Sequence, residues 1–230
     1  MCFTKRHVFK KMSTVEELKN DCIKQKTDLP SKRSQLKICV LDNDGFNSEE
    51  LRKIGYTNIA VRESFDSIND FKEFDLVLCD VDGIGTKYNP QKQGLAVAEE
   101  IVKSFFPMTQ VVIYTGKELS DYEYEEIEGV SVIRKNLSNA ELVKEIDEIC
   151  SIFWKPEAMW FFLEKYYRKE KLPNKEIALL EDLFVKSNLN QDKYYIQDQT
   201  NKINWQKYND FVNTGLHLSV RLLSILYENN

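Results

Sequence analysis

Asp42, Asp80, Thr115 and Lys135 each stand where a short apolar run stops. The runs are 36-LKICVLD-42, 75-DLVLCD-80, 110-QVVIYT-115 and 130-VSVIRK-135. Two carboxylates, a hydroxyl and an ammonium gathered in one place make a site for Mg²⁺ and a phosphoryl group. A carboxylate such as Asp80 can ligate the cation and, as an oxygen nucleophile, accept a phosphoryl group to form an acyl phosphate. Asp42 and Asp44, in 41-LDNDG-45, supply further oxygen ligands. Thr115 can hydrogen-bond a phosphoryl oxygen, and Lys135 can pair with another as a point charge. One Asp at a strand end commonly does no more than cap a turn; four matching strand ends in order argue for a shared site.

Buried parallel strands must position these residues. Four to six apolar, β-branched residues closed by a polar residue and a turn have that signature. In an open α/β sheet, ligands bind outside the carboxyl ends of the strands. A further strand is expected at 57–63, with helical patterns at 47–55, 66–73, 95–106, 118–128 and 138–153. Ser138 and Glu141 have capping-box spacing at the start of the last of these. Five strands alternating with five helices predict an α/β domain, a doubly wound parallel sheet with helices on both faces, over residues 36–154. Residues 1–35 read as a basic tail, a short helical pattern (Val15, Leu18, Cys22) followed by the polar linker 27-TDLPSKRSQ-35; it is expected as a mobile or loosely docked arm, with contact to the acidic domain the alternative. Pro156 opens an all-α C-terminal unit, 155–230, with helices expected at 157–170, 174–188 and 211–227 and a less regular stretch near 191–210. Residues 152–230 hold 14 of the 27 aromatic residues, and Trp160, Phe161, Tyr167, Tyr208 and Phe211 at helical spacing read as core or interface.

The order Asp42, Asp80, Thr115, Lys135 resembles the receiver domain of bacterial two-component response regulators, from Leu36 to near Trp154. The resemblance implies a flavodoxin-like (βα)₅ fold and phosphorylation of Asp80 by a histidine kinase or phosphotransfer protein. It also implies Mg²⁺ held by the acidic pocket with Asp80 and the main-chain carbonyl of Asp82. Thr115 and Lys135 would then sense the phosphoryl group. The chain departs from the family pattern in several places. Asn43 replaces the second of two adjacent acids, and Asp44 compensates only if the loop bends to bring it in. The loop after Asp80 is long, with residues 87–90 at its tip placed to cover the site. Asn136 follows Lys135 where a proline is common, and Val132 takes the aromatic switch position. A phosphorylation-independent pseudo-receiver scaffold is therefore one alternative. Another comes from haloacid-dehalogenase-type phosphatases, which the sequence resembles through D-x-D-G in 42-DNDG-45 and 80-DVDG-83. That family needs a later acidic pair at a strand end, and none follows 131-SVIRKN-136. A regulatory phosphoacceptor rather than a turnover enzyme is expected.

Charge is unevenly distributed. Residues 36–151 carry 12 basic and 23 acidic side chains, against 9 and 4 in residues 1–35 and 11 and 10 in 152–230. An acidic middle disfavours nucleic acid as its partner, and the +1 helical unit offers no broad basic patch. The expected partner of 155–230 is a protein or a second copy of the chain, with His217 a buried or rim histidine. The five cysteines lack C-x-x-C spacing, which argues against a zinc site; Cys39 and Cys79 fall in expected buried strands. The stretch 211–227 is too short and too polar to span a bilayer, and the N-terminus has no apolar leader, so a cytoplasmic protein with no membrane contact is expected.

Overall fold

A computed structural model of the chain describes residues 14–18, 29–118, 126, 127, 129–189, 213–215 and 217–222. Its centre is a sheet of five parallel strands, β1 Lys37–Leu41, β2 Asn58–Arg62, β3 Leu76–Cys79, β4 Gln110–Thr115 and β5 Val130–Arg134. The order across the sheet is β2-β1-β3-β4-β5, so the chain reverses direction of travel between β1 and β3. The arrangement is mixed α/β, with an order that flavodoxin-like sheets also use.

Alternation along each strand divides the core in two. Ile38, Val40, Leu76, Leu78 and Val112 face one side; Cys39, Leu41, Val77, Cys79, Val111 and Ile113 face the other. Both sides are covered, which is why β1, β3 and β4 read as unbroken apolar runs. The second face is closed by α3 (Gly94–Phe105) through Leu95, Val97, Ala98 and Ile101. The first is closed by α2 (Glu49–Lys53) and α4 (Asn139–Cys150), through Leu51, Leu142 and Ile146. Each side chain of this size taken fully out of water contributes about 1.5–3 kcal/mol. The Ser138 hydroxyl accepts the Glu141 N–H and the Glu141 carboxylate accepts the Ser138 N–H, so the expected capping box opens α4.

Two local expectations are corrected. The pattern at 66–73 forms only a single 3-10 turn, Ile68–Phe71. Ser67 and Asp70 close a capping box around it, and Phe71, fully buried, ties it to the sheet before β3 must begin. The supposed linker at 27–35 contains a helix, α1 (Leu29–Ser34), with Pro30 in its first turn where no N–H is required. α1 is firmly docked. The Arg33 guanidinium donates to Asp147 Oδ1 and Oδ2 at 2.9 and 2.5 Å and to Ile54 O at 2.8 Å. Tyr56 donates its hydroxyl to Asp147 Oδ1 at 2.6 Å, and burial pushes that phenol well above its ordinary pKa. Further back, Val15–Leu18 is helical, Leu18 is fully buried, and the Val15 N–H donates to Glu181 Oε1 at 3.1 Å. These contacts tie the described parts of the N-terminal segment to the rest of the chain.

Beyond the sheet, α5 (Pro156–Lys169) and α6 (Asn174–Leu189) follow a 3-10 turn at Ser151–Phe153. The buried cluster on the first sheet face continues without a break through Phe153, Trp160, Leu163, Tyr167, Leu180 and Phe184. Trp160 and Tyr167 are core residues as expected, whereas Phe161 is 62 % exposed. Residues 213–215 and 217–222 are helical, with Leu218 and Leu222 buried in that cluster and His217 exposed, at the rim rather than in the core. The stretch 191–210, Tyr208 and Phe211 lie outside the described residues, as does most of the helix expected at 118–128. Arg221 anchors this helical stretch to the amino end of the sheet. It donates to Asp75 Oδ1 at 2.9 Å, to Asp75 Oδ2, and to Gln35 O at 2.6 Å. Among the described residues no helix is long and apolar enough to cross a membrane.

Candidate functional site

The carboxyl ends of β1, β3, β4 and β5 converge, and their polar residues meet there. Backbone pairing sets the level of each: the Asp80 N–H donates to Leu41 O at 2.8 Å, and the Lys135 N–H donates to Thr115 O at 2.9 Å. The Asp42 N–H donates to Arg62 O at 3.0 Å. From these fixed positions the Lys135 ammonium reaches both acids, lying 2.8 Å from Asp42 Oδ2 and 2.8 Å from Asp80 Oδ2. It also lies 5.5 Å from the centre of the Tyr114 ring.

Asp44 joins this group through the turn after β1. Asp42 Oδ1 accepts the Asp44 N–H at 2.9 Å, and Gly45 takes a φ of +90°, a conformation that favours glycine. One carboxylate oxygen from each of Asp42, Asp44 and Asp80 falls within a 4.8 Å span. Asn43 turns elsewhere: its amide packs on Gly83, where an added Cβ would lie 2.5 Å from Nδ2. The loops after β1 and β3 interlock at that contact. A second close approach fixes the rear of the site. The start of α3 lies so near the Asp80 backbone that a Cβ on Gly94 would sit 1.8 Å from the Asp80 carbonyl oxygen.

Both Asp80 oxygens are engaged, Oδ1 accepting the Val81 N–H at 2.8 Å and Oδ2 the Lys135 ammonium. The Asp80 side chain is 4 % exposed and that of Asp42 2 %, against 26 % for Lys135. Burial raises the Asp80 carboxyl above the ordinary carboxylate range, and the bonds from Lys135 and Val81 offset only part of that effect. For Lys135 burial acts to lower the pKa, but hydrogen bonding to Asp42 and Asp80 wins and the ammonium is held more tightly than usual. Thr115 is fully buried, its Oγ1 accepting the Lys117 N–H at 3.2 Å. Lys117 in turn places its ammonium 2.9 Å from Asp82 Oδ2.

Three carboxylates and one ammonium leave a formal charge of −2 at the cluster. All the donors are hard oxygens, a set that suits a divalent cation of the Mg²⁺ or Ca²⁺ kind without distinguishing between them. No other group of three such residues occurs among the described residues. The later acids that a haloacid-dehalogenase site requires thus do not join this one among those residues. The tip of the loop after β3 has its own arrangement, Lys87 and Tyr88 lining a cleft with residues 63–66.

Sequence reasoning did not single out Lys117, Tyr114 or Gln93. Gln93 accepts the Gly83 N–H on its side-chain oxygen at 2.8 Å and holds the loop after β3 closed. The signal for Lys117 was available, since it follows Thr115 by two residues on the same loop. The signal for Gln93 was not, because a positive φ of 49° at a non-glycine residue has no sequence mark. Comparison with protein-family models, with curated proteins and with solved structures finds no match for this chain.

Proposed function

We propose that this chain is a receiver-like signalling protein of flavodoxin-like fold in which Asp80 accepts a phosphoryl group. The observation that carries the reading is the meeting of four strand ends, with Lys135 Nζ 2.8 Å from both Asp42 and Asp80. In the transfer an Asp80 oxygen attacks phosphorus, and the P–N bond to the imidazole of a histidine kinase or phosphotransfer protein breaks. The imidazole leaves with the bonding pair and takes a proton from solvent; Asp80 becomes an acyl phosphate. Lys135, on a flexible stem that is the most exposed part of the buried trio, turns from Asp80 Oδ2 to a phosphoryl oxygen. The Thr115 hydroxyl donates to another. Asp42, Asp44, Asp80 and the main-chain carbonyl of Asp82 would hold Mg²⁺, which when bound neutralises charge on the phosphoryl oxygens. The helical elements after residue 155 form an α-helical output unit that engages a protein partner. Their shared core with the sheet gives the change at Asp80 a route to them.

Intact mass after incubation with acetyl phosphate and Mg²⁺, with Asp80→Asn as control, tests the reading. A gain of one phosphoryl group, lost in the variant, is the expected result. One observation favours a second reading, a pseudo-receiver scaffold that works without phosphorylation: the Asp80 side chain is 4 % exposed and has no oxygen free. Absence of both a mass gain and Mg²⁺ affinity would establish it. Sustained hydrolysis of an aryl phosphate, abolished by Asp80→Asn or Asp42→Asn, would instead make the protein a phosphatase.

A further inference from the structure

The loops leaving β2 and β3 enclose a cleft of about 510 Å³, and none of the strand-end residues described above lines it. Its volume falls in the range of established ligand pockets, and it opens at the carboxyl ends of the strands. Glu63, Phe65 and Asp66 form one wall, and Thr86, Lys87 and Tyr88 the other.

Both walls are held in place by the chain itself. The Asp66 and Ser67 N–H groups donate to Asp70 Oδ2 at 3.1 and 3.0 Å, and the Phe65 ring rests on Phe71 with centroids 5.4 Å apart. Opposite, the Tyr88 N–H donates to Gly85 O at 2.8 Å, which fixes a turn that leaves Tyr88 53 % exposed. A large aromatic ring standing this far into solvent on a fixed turn contributes nothing to the core.

The charges in the cleft are equally unspent. Glu63 and Asp66 have no cationic partner among the described residues. Nearby acids do: Glu73 pairs with Lys37 and Asp82 with Lys117. Among the described residues lining the cleft Lys87 is the single cation, so there carboxylates outnumber ammonium two to one. The surrounding residues 36–151, with 23 acidic and 12 basic side chains, add a negative field that draws cations toward it. Carboxylates beside an exposed aromatic ring recognise a cation that can stack, and the planar guanidinium does this better than an ammonium.

We propose that this cleft docks a basic segment of a partner protein, with an arginine pairing with Glu63 and Asp66 and stacking on Tyr88. The inference does not depend on phosphorylation of Asp80. The isotopically labelled full chain is titrated with an end-blocked Gly-Arg-Gly-Arg-Gly peptide and with its Glu-for-Arg and Leu-for-Arg counterparts, followed by amide chemical shifts. The arginine peptide is expected to move amides at 63–66 and 85–88 and to lose affinity as salt rises. Glu63→Gln with Asp66→Asn, both exposed and outside the core, should weaken it about tenfold, and Tyr88→Ala about threefold. Equal binding of the leucine peptide would overturn the proposal in favour of a merely apolar groove. An equal loss in Asp44→Asn would overturn it in favour of a diffuse acidic field, and shifts confined to other residues would remove the site altogether.

Discussion

Arg221→Met keeps an unbranched hydrocarbon stem but isolates a buried carboxylate, and its cost can be worked out from the contacts. Arg221 gives Asp75 two hydrogen bonds and Gln35 O a third. The Asp75 side chain is 12 % exposed and that of Arg221 26 %. With the guanidinium gone, Asp75 keeps the Lys37 N–H at 2.8 Å as its backbone donor. Breaking a fully buried ion pair costs about 3–5 kcal/mol. The partial exposure of the Arg221 side chain reduces that to about 2–3 kcal/mol, or a fall of about 5–10 °C in Tm for a chain of this length. The pH dependence is the sharper test. Burial holds the Asp75 carboxyl above its ordinary range even with Arg221 beside it. A carboxyl whose pKa is higher folded than unfolded binds more protons in the native state, so stability falls as pH rises between the two values. Without Arg221 the folded pKa climbs further and the falling interval extends upward. The deficit of Arg221→Met should therefore be smaller at an acidic pH and grow as the pH is raised to mildly alkaline. Urea midpoints at both pH values, for Arg221→Met, Asp75→Asn and the double variant, measure it. An equal deficit at both values, or a coupling below about 0.5 kcal/mol in the cycle, would refute the claim that Arg221 compensates Asp75.

The other expectations concern the site and its supports. Lys135→Met leaves Asp42 and Asp80, both nearly buried, side by side without their cation, and should cost about 2–4 kcal/mol in urea unfolding. Adding Asp80→Asn to that chain should restore part of the loss, because one of the two charges is gone. Gly94→Ala drives a methyl into the Asp80 carbonyl and should cost more than about 3 kcal/mol, whereas Gly45→Ala meets nothing within 4 Å and should cost about 1 kcal/mol for its positive φ alone. Ser138→Ala removes half of the capping box and should lower stability by about 1 kcal/mol, read as a shift of the urea midpoint with unchanged slope.

How much of this was legible follows from range along the chain. The runs ending at Asp42, Asp80, Thr115 and Lys135 are local, and burial on both sheet faces leaves the first three unbroken, so strands and strand ends could be read directly. The Ser138–Glu141 box spans three residues and was equally readable. The contacts that hold the N- and C-terminal segments are not local. Arg33 meets Asp147 114 positions on, and Arg221 meets Asp75 146 positions back. One Arg among the basic residues of 1–35 carries no mark of such a partner, so the segment read as a mobile or loosely docked arm whose contact with the acidic domain stayed open. The turn at Ile68–Phe71 was misread for a different reason. An apolar residue every three or four positions fits one 3-10 turn as well as an α-helix until the demand of β3 for its own residues is known.

Charge at the strand ends links phosphorylation to the cation on the proposed reading. Lys135 is one ammonium shared by two carboxylates that are almost wholly buried, and Asp44 adds a third from the rim. Turning Asp80 into an acyl phosphate replaces one negative charge by nearly two and draws the ammonium toward the phosphoryl oxygens. Asp42, 2 % exposed, would then lose its counter-ion at the moment when local negative charge increases. A buried carboxylate left in that state costs several kcal/mol, enough to suppress the product by orders of magnitude. A divalent cation held by Asp42 and Asp44 would remove the penalty. Phosphorylation of Asp80 should accordingly be lost in EDTA, and Asp42→Asn, which needs no counter-ion, should be the variant in which that dependence is weakest. A phospho-state that forms equally well in EDTA with Asp42 intact would mean that Lys135 serves both groups at once.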